Sequence, residues 1–581
     1  MSVINVRPAS LRVERSPLKE PASKSAHPEA PYGGIGAPLR DAVFRRIWSA
    51  SLLSNLGQQM QAVAAAWAML EITHQADLVA LVQTASMLPV MLLALPAGAL
   101  ADMYDRRKVA IAALLLSLAG ASLLAVIAFA GMASPKLILT GVFITGMGIA
   151  LYSPAWQASV AEIVGPRALP AAISLYSMSN NAARSVGPAI GGFVIAATGI
   201  LAAFAINAAL YLPILFALAF WKREATPPRL PPERLDKAML GGLRYVRHSP
   251  HSRRVVMRAF FTAAGGAAIY AMLPLVANQL LGGGARVYGF LLGGFGLGAV
   301  GLATLSSHIQ SRYTPERIAV VCSLILAAAL LVISMSAIIV VTILAMVAAG
   351  GAWMVSISTY NVSVQLSSPR WVSGRTLATF QAAVAGGLAG GAAAWGNLAE
   401  QSGVSTALVI ASAYFAVTAL FGRILGLQKP IAAEQGPPPQ RDPVVQMALT
   451  GRSGPLVIEI EYRVKNEDAR AFYHTMRAVR RSRERNGAYG MSLMRDVADP
   501  QLWVERISYA TWNDYLRARD RPTSDDRALR DRANSFQIGG ELPSIRRFLE
   551  RPTGSVRWSE DTIDPGEALT APTSFGPLSS P

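Results

Sequence analysis

Two long apolar runs, about residues 78–100 and 109–131, are separated only by the charged hinge Gly98-Ala99-Leu100-Ala101-Asp102-Met103-Tyr104-Asp105-Arg106-Arg107-Lys108. Each run is long enough to cross a bilayer as a helix, which takes ~20 apolar residues. So short a hinge leaves the two helices antiparallel neighbours. Gly98 lets backbones approach, and Asp102 is placed to accept from the N–H groups that begin the next helix. Arg106, Arg107 and Lys108 put the hinge on the cytoplasmic side.

The same pattern repeats along the chain. Apolar spans are expected near 47–70, 79–101, 109–131, 137–158, 170–197 and 199–221, then near 256–280, 287–308, 317–338, 340–363, 374–398 and 404–426. Only 15% of residues are charged, against roughly 25% in soluble domains. The net charge of +18 is explained by cytoplasmic loops beside anionic lipid rather than by a nucleic-acid partner. Basic residues cluster in alternate loops: Arg45 and Arg46, then Arg106 to Lys108, then Arg167, then ten between Lys222 and Arg258, then Arg312 and Arg317, then Arg370 and Arg375. This places an even number of spans with both termini in the cytoplasm. The single Cys322 excludes an intrachain disulfide, and no metal cluster or cofactor loop is legible.

The expected organisation is a disordered cytoplasmic tail (1–40), a six-helix bundle (41–222), a cytoplasmic loop (223–254), a second six-helix bundle (255–428), a linker (429–454), a soluble domain (455–550) and a disordered tail (551–581). The bundles are a repeat. Gly98 recurs as Gly301, and Pro166-Arg167 recurs as Pro369-Arg370 at the same offset. In the loop, Leu235–Arg247 reads as an amphipathic helix at the inner membrane surface.

The hinge pattern G-x-L-A-D-x-x-x-R-R resembles the loop 2–3 signature of the major facilitator superfamily of secondary transporters. Met103 and Asp105 depart from it, standing where a basic residue and a glycine are usual. The resemblance implies that Gly98, Asp102, Arg106 and Arg107 belong to a gate that makes and breaks during alternating access. A second motif, Arg184-Ser185-Val186-Gly187-Pro188-Ala189-Ile190-Gly191-Gly192, resembles the G-P-x-x-G-G signature of the exporter branch. Pro188 kinks the fifth span, and Gly187, Gly191 and Gly192 admit a facing helix.

Arg184 is a cation inside a membrane span, where charge faces a cavity or a partner. It suits an anionic substrate, or else serves as a hydrogen-bonding hub. Asn55 and Gln59 share a helical face in the first span and, with Gln381, are candidates to line a substrate cavity. Their alternative is hydrogen bonding between helices. No carboxylate sits in the middle of a span. Proton coupling is therefore implied by the resemblance alone, with Glu71 and Glu162 as its candidates.

After the linker, Leu456–Tyr462 alternates like a strand, and Asn466 is placed to cap a helix with apolar face Ala469, Phe472, Tyr473, Met476 and Val479. Strands near 489–497 and 501–510, helices at Trp512–Arg519 and Thr523–Phe536, and a strand Ser544–Leu549 complete a βαββαβ order. That order is a ferredoxin-like sandwich. The domain resembles the dimeric α/β-barrel modules related to antibiotic-biosynthesis monooxygenases, which implies a homodimer contact.

The fold expected is an all-α membrane protein of twelve transmembrane helices with a small C-terminal α+β domain. The function expected is proton-coupled export of a small amphiphilic molecule (siderophore, secondary metabolite or drug) across the cytoplasmic membrane, since the whole resembles enterobactin-type siderophore exporters. Two alternatives stay open: an enzyme or binding module acting on a quinone-like compound, and a sensor that does not transport.

Overall fold

The computed structural model describes residues 36–164, 168–221, 235–427, 445–447, 449–520 and 523–550. The tails, most of the linker, the proline-rich start of the central loop and Pro166-Arg167 lie outside them. The first bundle comprises α1 (Ala42–Thr73), α2 (Ala76–Met103), α3 (Arg106–Phe129), α4 (Pro135–Ile163), α5 (Leu169–Thr198) and α6 (Ile200–Ala219). A connecting helix α7 (Leu235–His248) leads to α8 (Pro250–Leu275), α9 (Ala285–Arg312), α10 (Pro315–Met335), α11 (Ile339–Ser367), α12 (Arg370–Ser402), α13 (Val404–Ala419) and the short α14 (Gly422–Leu425).

Among the described residues nine helices are long and apolar enough to cross a membrane. The protein is therefore a multi-pass membrane protein. Helices α1 and α5 are longer than most, but Asn55, Gln58, Gln59 and Gln61 in one, and Asn180, Asn181 and Arg184 in the other, dilute their hydropathy. Helix α13 is apolar but only 16 residues long, because the chain turns at Leu420 and restarts as α14. The expected last span at 404–426 is thus two pieces.

Within the first bundle α1 packs on α5 and α6, and α3 on α4 and α6. Within the second, α8 packs on α12, α9 on α11, and α10 on α13. The bundles meet along two seams, α2 with α12 and α5 with α9. One end of the bundles carries Arg106, Arg107, Lys108, Arg312 and Arg317; the other carries Glu71, Asp77 and Glu400 with Lys136 and Arg286, so it is close to neutral. At this neutral end a single buried core joins both bundles, from Val63–Leu70 and Val79 on one side to Met272, Tyr288 and Leu326 on the other. At the basic end the buried core divides. Phe44, Trp156, Tyr211 and Leu218 fill one bundle, while Val255, Tyr360, Val364 and Phe380 fill the other.

The C-terminal part of the chain forms a four-stranded antiparallel sheet. Its strands are β1 (Leu456–Arg463), β2 (Gly490–Arg495), β3 (Leu502–Tyr509) and β4 (Ser544–Leu549), in the order β2-β3-β1-β4. Helix α15 (Ala469–Asn486) connects β1 to β2, and α16 (Trp512–Asp520) with α17 (Ser524–Asn534) connects β3 to β4. In register, Ile458 faces Ile507, Ile460 faces Glu505 and Tyr462 faces Trp503. These alternate residues pack under Phe472, Met476 and Val479 of α15 in a core drawn from this part of the chain alone.

Two local expectations fail. Asn466 opens a short 3-10 turn and its side chain accepts from Arg495 Nη2 at 2.6 Å, so it does not cap α15. Tyr473 is half exposed, because α15 turns that edge outward beside Arg477.

Helix α7 is amphipathic, burying Gly242, Tyr245 and Val246 and exposing Leu243 and Arg247. It packs against both α2 and α12. The Tyr245 hydroxyl donates to Ser367 O of α11 at 3.0 Å. On its other side α15 docks: the Arg485 guanidinium lies 6.0 Å from the Tyr245 ring centroid, and His248 Nε2 is 3.6 Å from Glu484 Oε2.

Asp526 staples α17 to α15. It takes hydrogen bonds from Ser482 Oγ (2.6 Å), Asn486 Nδ2 (3.2 Å), Thr523 N (3.1 Å) and the Arg485 guanidinium. Burial pushes this carboxyl up, but Arg485 and the three donors outweigh it and hold it below the usual aspartate range. A depressed folded-state value stabilises the fold above the unfolded value, about 3.9, and the contribution is lost as pH falls through the folded one. We predict that Asp526→Ala destabilises the isolated 446–550 domain by about 2–3 kcal/mol at pH 7, and that urea titrations show this difference shrinking below about pH 4. An unchanged denaturation midpoint would remove the staple.

Candidate functional site

The hinge is a clamp inside the first bundle. Its helix cap is Asp105, not Asp102. Asp105 is extended and accepts from Arg107 N at 2.9 Å and Lys108 N at 3.3 Å. The chain reaches the cap position one turn later than expected because α2 runs on through Met103, which places Asp102 in the last turn of that helix. Arg106 spreads over three groups: Ala101 O at 3.2 Å, Ala158 O at 3.1 Å and Glu162 Oε1 at 2.7 Å. Arg107 Nε donates to Leu218 O at 2.8 Å, satisfying a carbonyl at the end of α6. The two arginines thereby tie α3 to α2, α4 and α6, as guanidinium forks can and ammonium groups cannot. Among the described residues nothing lies within 4 Å of a Cβ placed at Gly98, so they make no close approach there.

The glycines of the second motif do make close approaches, on two sides. Gly187 faces Gln59 and Gly191 faces Met60, both on α1. Gly192 faces the opposite bundle, where a Cβ would lie 2.7 Å from Ala285 O and 2.7 Å from Gly289 Cα. This backbone-to-backbone meeting of α5 and α9 is one seam. The other joins α2 to α12: Gly396 sits against Ala80, Thr84 Oγ1 donates to Ala389 O at 2.9 Å, and Gly386 lies under Met91.

Arg184, Asn55 and Gln381 lie toward the basic end from these contacts, each a turn or more beyond the last residue packed at a seam. The Arg184 and Gln381 side chains are exposed, and Asn55 Nδ2 is buried with no hydrogen-bond partner among the described residues. Arg184 is within electrostatic reach of Tyr270 on α8, and Tyr270 packs edge-on against Phe295 and Trp353 at 5.4 and 6.1 Å. Arg184 is exposed, on the side of the α5–α9 contacts nearer the basic end. Gln59 is instead engaged by Gly187 in the α1–α5 contact.

Glu71 and Glu162 lie at opposite ends. Glu71 accepts from Trp67 Nε1 at 2.6 Å and borders a small cavity of about 220 Å³ with Ile72, Ile138 and Phe204, at the neutral end. Glu162 pairs with Arg106 at the basic end.

Two further polar pairs join helices inside the bundles. Gln61 accepts from Asn207 in a buried α1–α6 bond. Arg258 is 2% exposed, and its Nη2 lies 3.3 Å from Glu316 Oε1, whose other oxygen accepts from Leu427 N at 2.8 Å. Arg258 reads as the last charge of a loop until α8 is seen to begin at Pro250. Among the described residues no group of three or more His, Cys, Asp or Glu could hold a metal.

The sequence matches the family model described as "Transmembrane secretion effector" over residues 34–553. The chain belongs to that family. It is 24% identical over 260 residues to the staphyloferrin A transporter of Staphylococcus aureus, covering 44% of this chain and 65% of that one, just under two thirds. It is 26% identical over 350 residues to the multidrug efflux pump Tap of Mycolicibacterium fortuitum, covering 56% and 82%. Similar solved structures include the nucleoside transporter NupG, with a TM-score of 0.56 at 11% identity over 66% of this chain and 99% of that one. A bacterial homologue of the human lysosomal transporter Spinster, inward-facing and occupied, gives 0.53 at 15% over 67% and 97%. These structures establish the fold, which this chain shares with those transporters. The family and these relatives are transporters rather than enzymes.

We predict that Ala189→Cys and Gly293→Cys, in a Cys322→Ser background, form a disulfide across the α5–α9 seam, because a Cβ at Gly293 would lie 3.2 Å from Ala189 Cβ. Adding Gly192→Leu should cut crosslinking yield at least about fivefold by forcing backbones apart. Full crosslinking with leucine present would mean that the seam does not depend on that glycine.

Proposed function

We propose that this chain is a secondary active exporter of the cytoplasmic membrane, moving a small amphiphilic molecule outward by alternating access and coupled to proton entry. Helices α1–α6 and α8–α13 are its twelve spans. The basic end faces the cytoplasm, as do both termini. The observation that carries this reading is the division of the core at the basic end beside two closed seams at the neutral end. Two rigid bundles in that arrangement are one state of a rocking pair, open to the inside. Asn55, Arg184 and Gln381 stand in the opening, and Arg184 beside an aromatic shelf suits a planar or acidic cargo such as a siderophore, secondary metabolite or drug. Gly98, Asp102, Arg106 and Arg107 form the inner gate, and Glu71 or Glu162 carries the proton.

The soluble domain is a ferredoxin-like sandwich similar to the antibiotic-biosynthesis-monooxygenase modules. The sheet face away from its helices, with Met494 and Phe548 among charged residues, is the surface for a homodimer.

The test is mass spectrometry of medium and cell contents, with and without the protein. A compound retained in its absence and released on its return identifies both export and cargo. We predict that Arg184→Ala lowers release at least about tenfold, that Arg184→Lys retains part of it, and that truncation after residue 428 leaves partial export. Replacing whichever of Glu71 or Glu162 carries the proton by Gln should abolish export driven by a pH gradient. No retained compound in iron-starved and drug-challenged cultures would sink the exporter reading.

A further inference from the structure

Helix α2 begins without a cap of its own. Its N-cap residue, Gln75, makes no side-chain hydrogen bond to the first turn. The N–H groups of a first helical turn have no partner within the helix and are normally met by a side chain or water. Here the Leu78 N–H is taken by Asp77 Oδ1 at 2.7 Å. The Ala76 N–H donates to Glu400 Oε2 at 2.6 Å. Glu400 lies in the last turn of α12, in the other bundle. The cap is therefore supplied across the seam, at the neutral end, where it lies above the Gly396–Ala80 and Thr84–Ala389 contacts. The carboxylate also meets the positive end of the α2 dipole.

We propose that Glu400 is a positioning residue of alternating access: its carboxylate caps α2 only while the neutral end is shut, and so sets how much of its time the protein spends open to the basic side. This rests on the alternating-access reading above. The bond exists only in one arrangement of the bundles. When α12 swings away from α2, the Ala76 N–H and the carboxylate both return to water. A group that bonds in one state and not in the other shifts the equilibrium between them by the strength of that bond. At a solvent-exposed site a charge-assisted cap is worth roughly three- to tenfold in population. The second seam works otherwise. Gly192, Gly289 and Gly293 meet there through backbone and methyl surfaces, which fix an approach distance but carry no charge to release. One seam is a steric pivot and the other a switchable clasp.

The experiment uses the full chain in intact cells, with Cys322→Ser and a reporter Thr84→Cys on α2 below the clasp. A membrane-impermeant maleimide added outside labels the reporter only when the neutral end opens. Glu400→Ala should raise the labelling rate roughly three- to tenfold. Glu400→Gln, which keeps an acceptor oxygen and loses the charge, should give a smaller rise. Asn397→Ala, exposed one turn away on α12, should leave the rate unchanged. Labelling unaltered in Glu400→Ala protein that is inserted at normal levels overturns the proposal. If that variant is not inserted, the same rate in Glu400→Gln and unaltered protein overturns it. Export measured in the same cells keeps the two ideas apart. Raised labelling with no cargo retained or released keeps the clasp and removes the exporter; normal export with unaltered labelling does the reverse.

Discussion

Close approach between backbones at two seams is the constraint on which the rest of this structure depends. Lipid gives two helical bundles little reason to associate, since chain tails are as apolar as leucine. Association must come from dispersion between surfaces near enough to touch. Gly192 against Gly289, and Gly396 against Ala80, bring helix axes close where any larger residue would hold them apart. Both meetings lie toward one end of the bundles. The core is continuous there and divided at the other end, and the polar residues at the division are left with room around them.

Charge governs what packing leaves free. Arg106 and Arg107 are spent on carbonyls and on Glu162 within their own bundle, which makes that bundle one body. Arg258 and Glu316 do the same in the other and also hold Leu427, the root of the linker. Fixed pairs inside each body leave the contacts between bodies to the two seams.

The nine membrane-length helices among the described residues were legible because a run of about twenty apolar residues has few alternatives to a membrane helix. The strand order of the soluble domain was legible from alternation and turn residues. What was not legible is instructive. Arg106 and Arg107 stood out as charges, but their partners are backbone carbonyls of Ala101, Ala158 and Leu218, which no letter of the sequence marks. Asp105, not Asp102, caps α3, because the extra turn of α2 through Met103 has no marker in the sequence. The role of Gly192 needed to be known from which helix crosses it. Asn466 had the chemistry of a cap but lies before a 3-10 turn, and Arg495 claims it instead.

Tyr245 has two allegiances. Its hydroxyl is committed to the end of α11 and its ring is covered by Arg485 of the soluble domain. The helix that carries it touches α2 and α12 together. A side chain shared in this way makes the two parts thermodynamically reciprocal. Any molecule that binds the soluble domain more tightly in one arrangement of α7 must bias the bundles toward that arrangement. Any cargo that shifts the bundles must, by the same amount, alter the domain's affinity for that molecule.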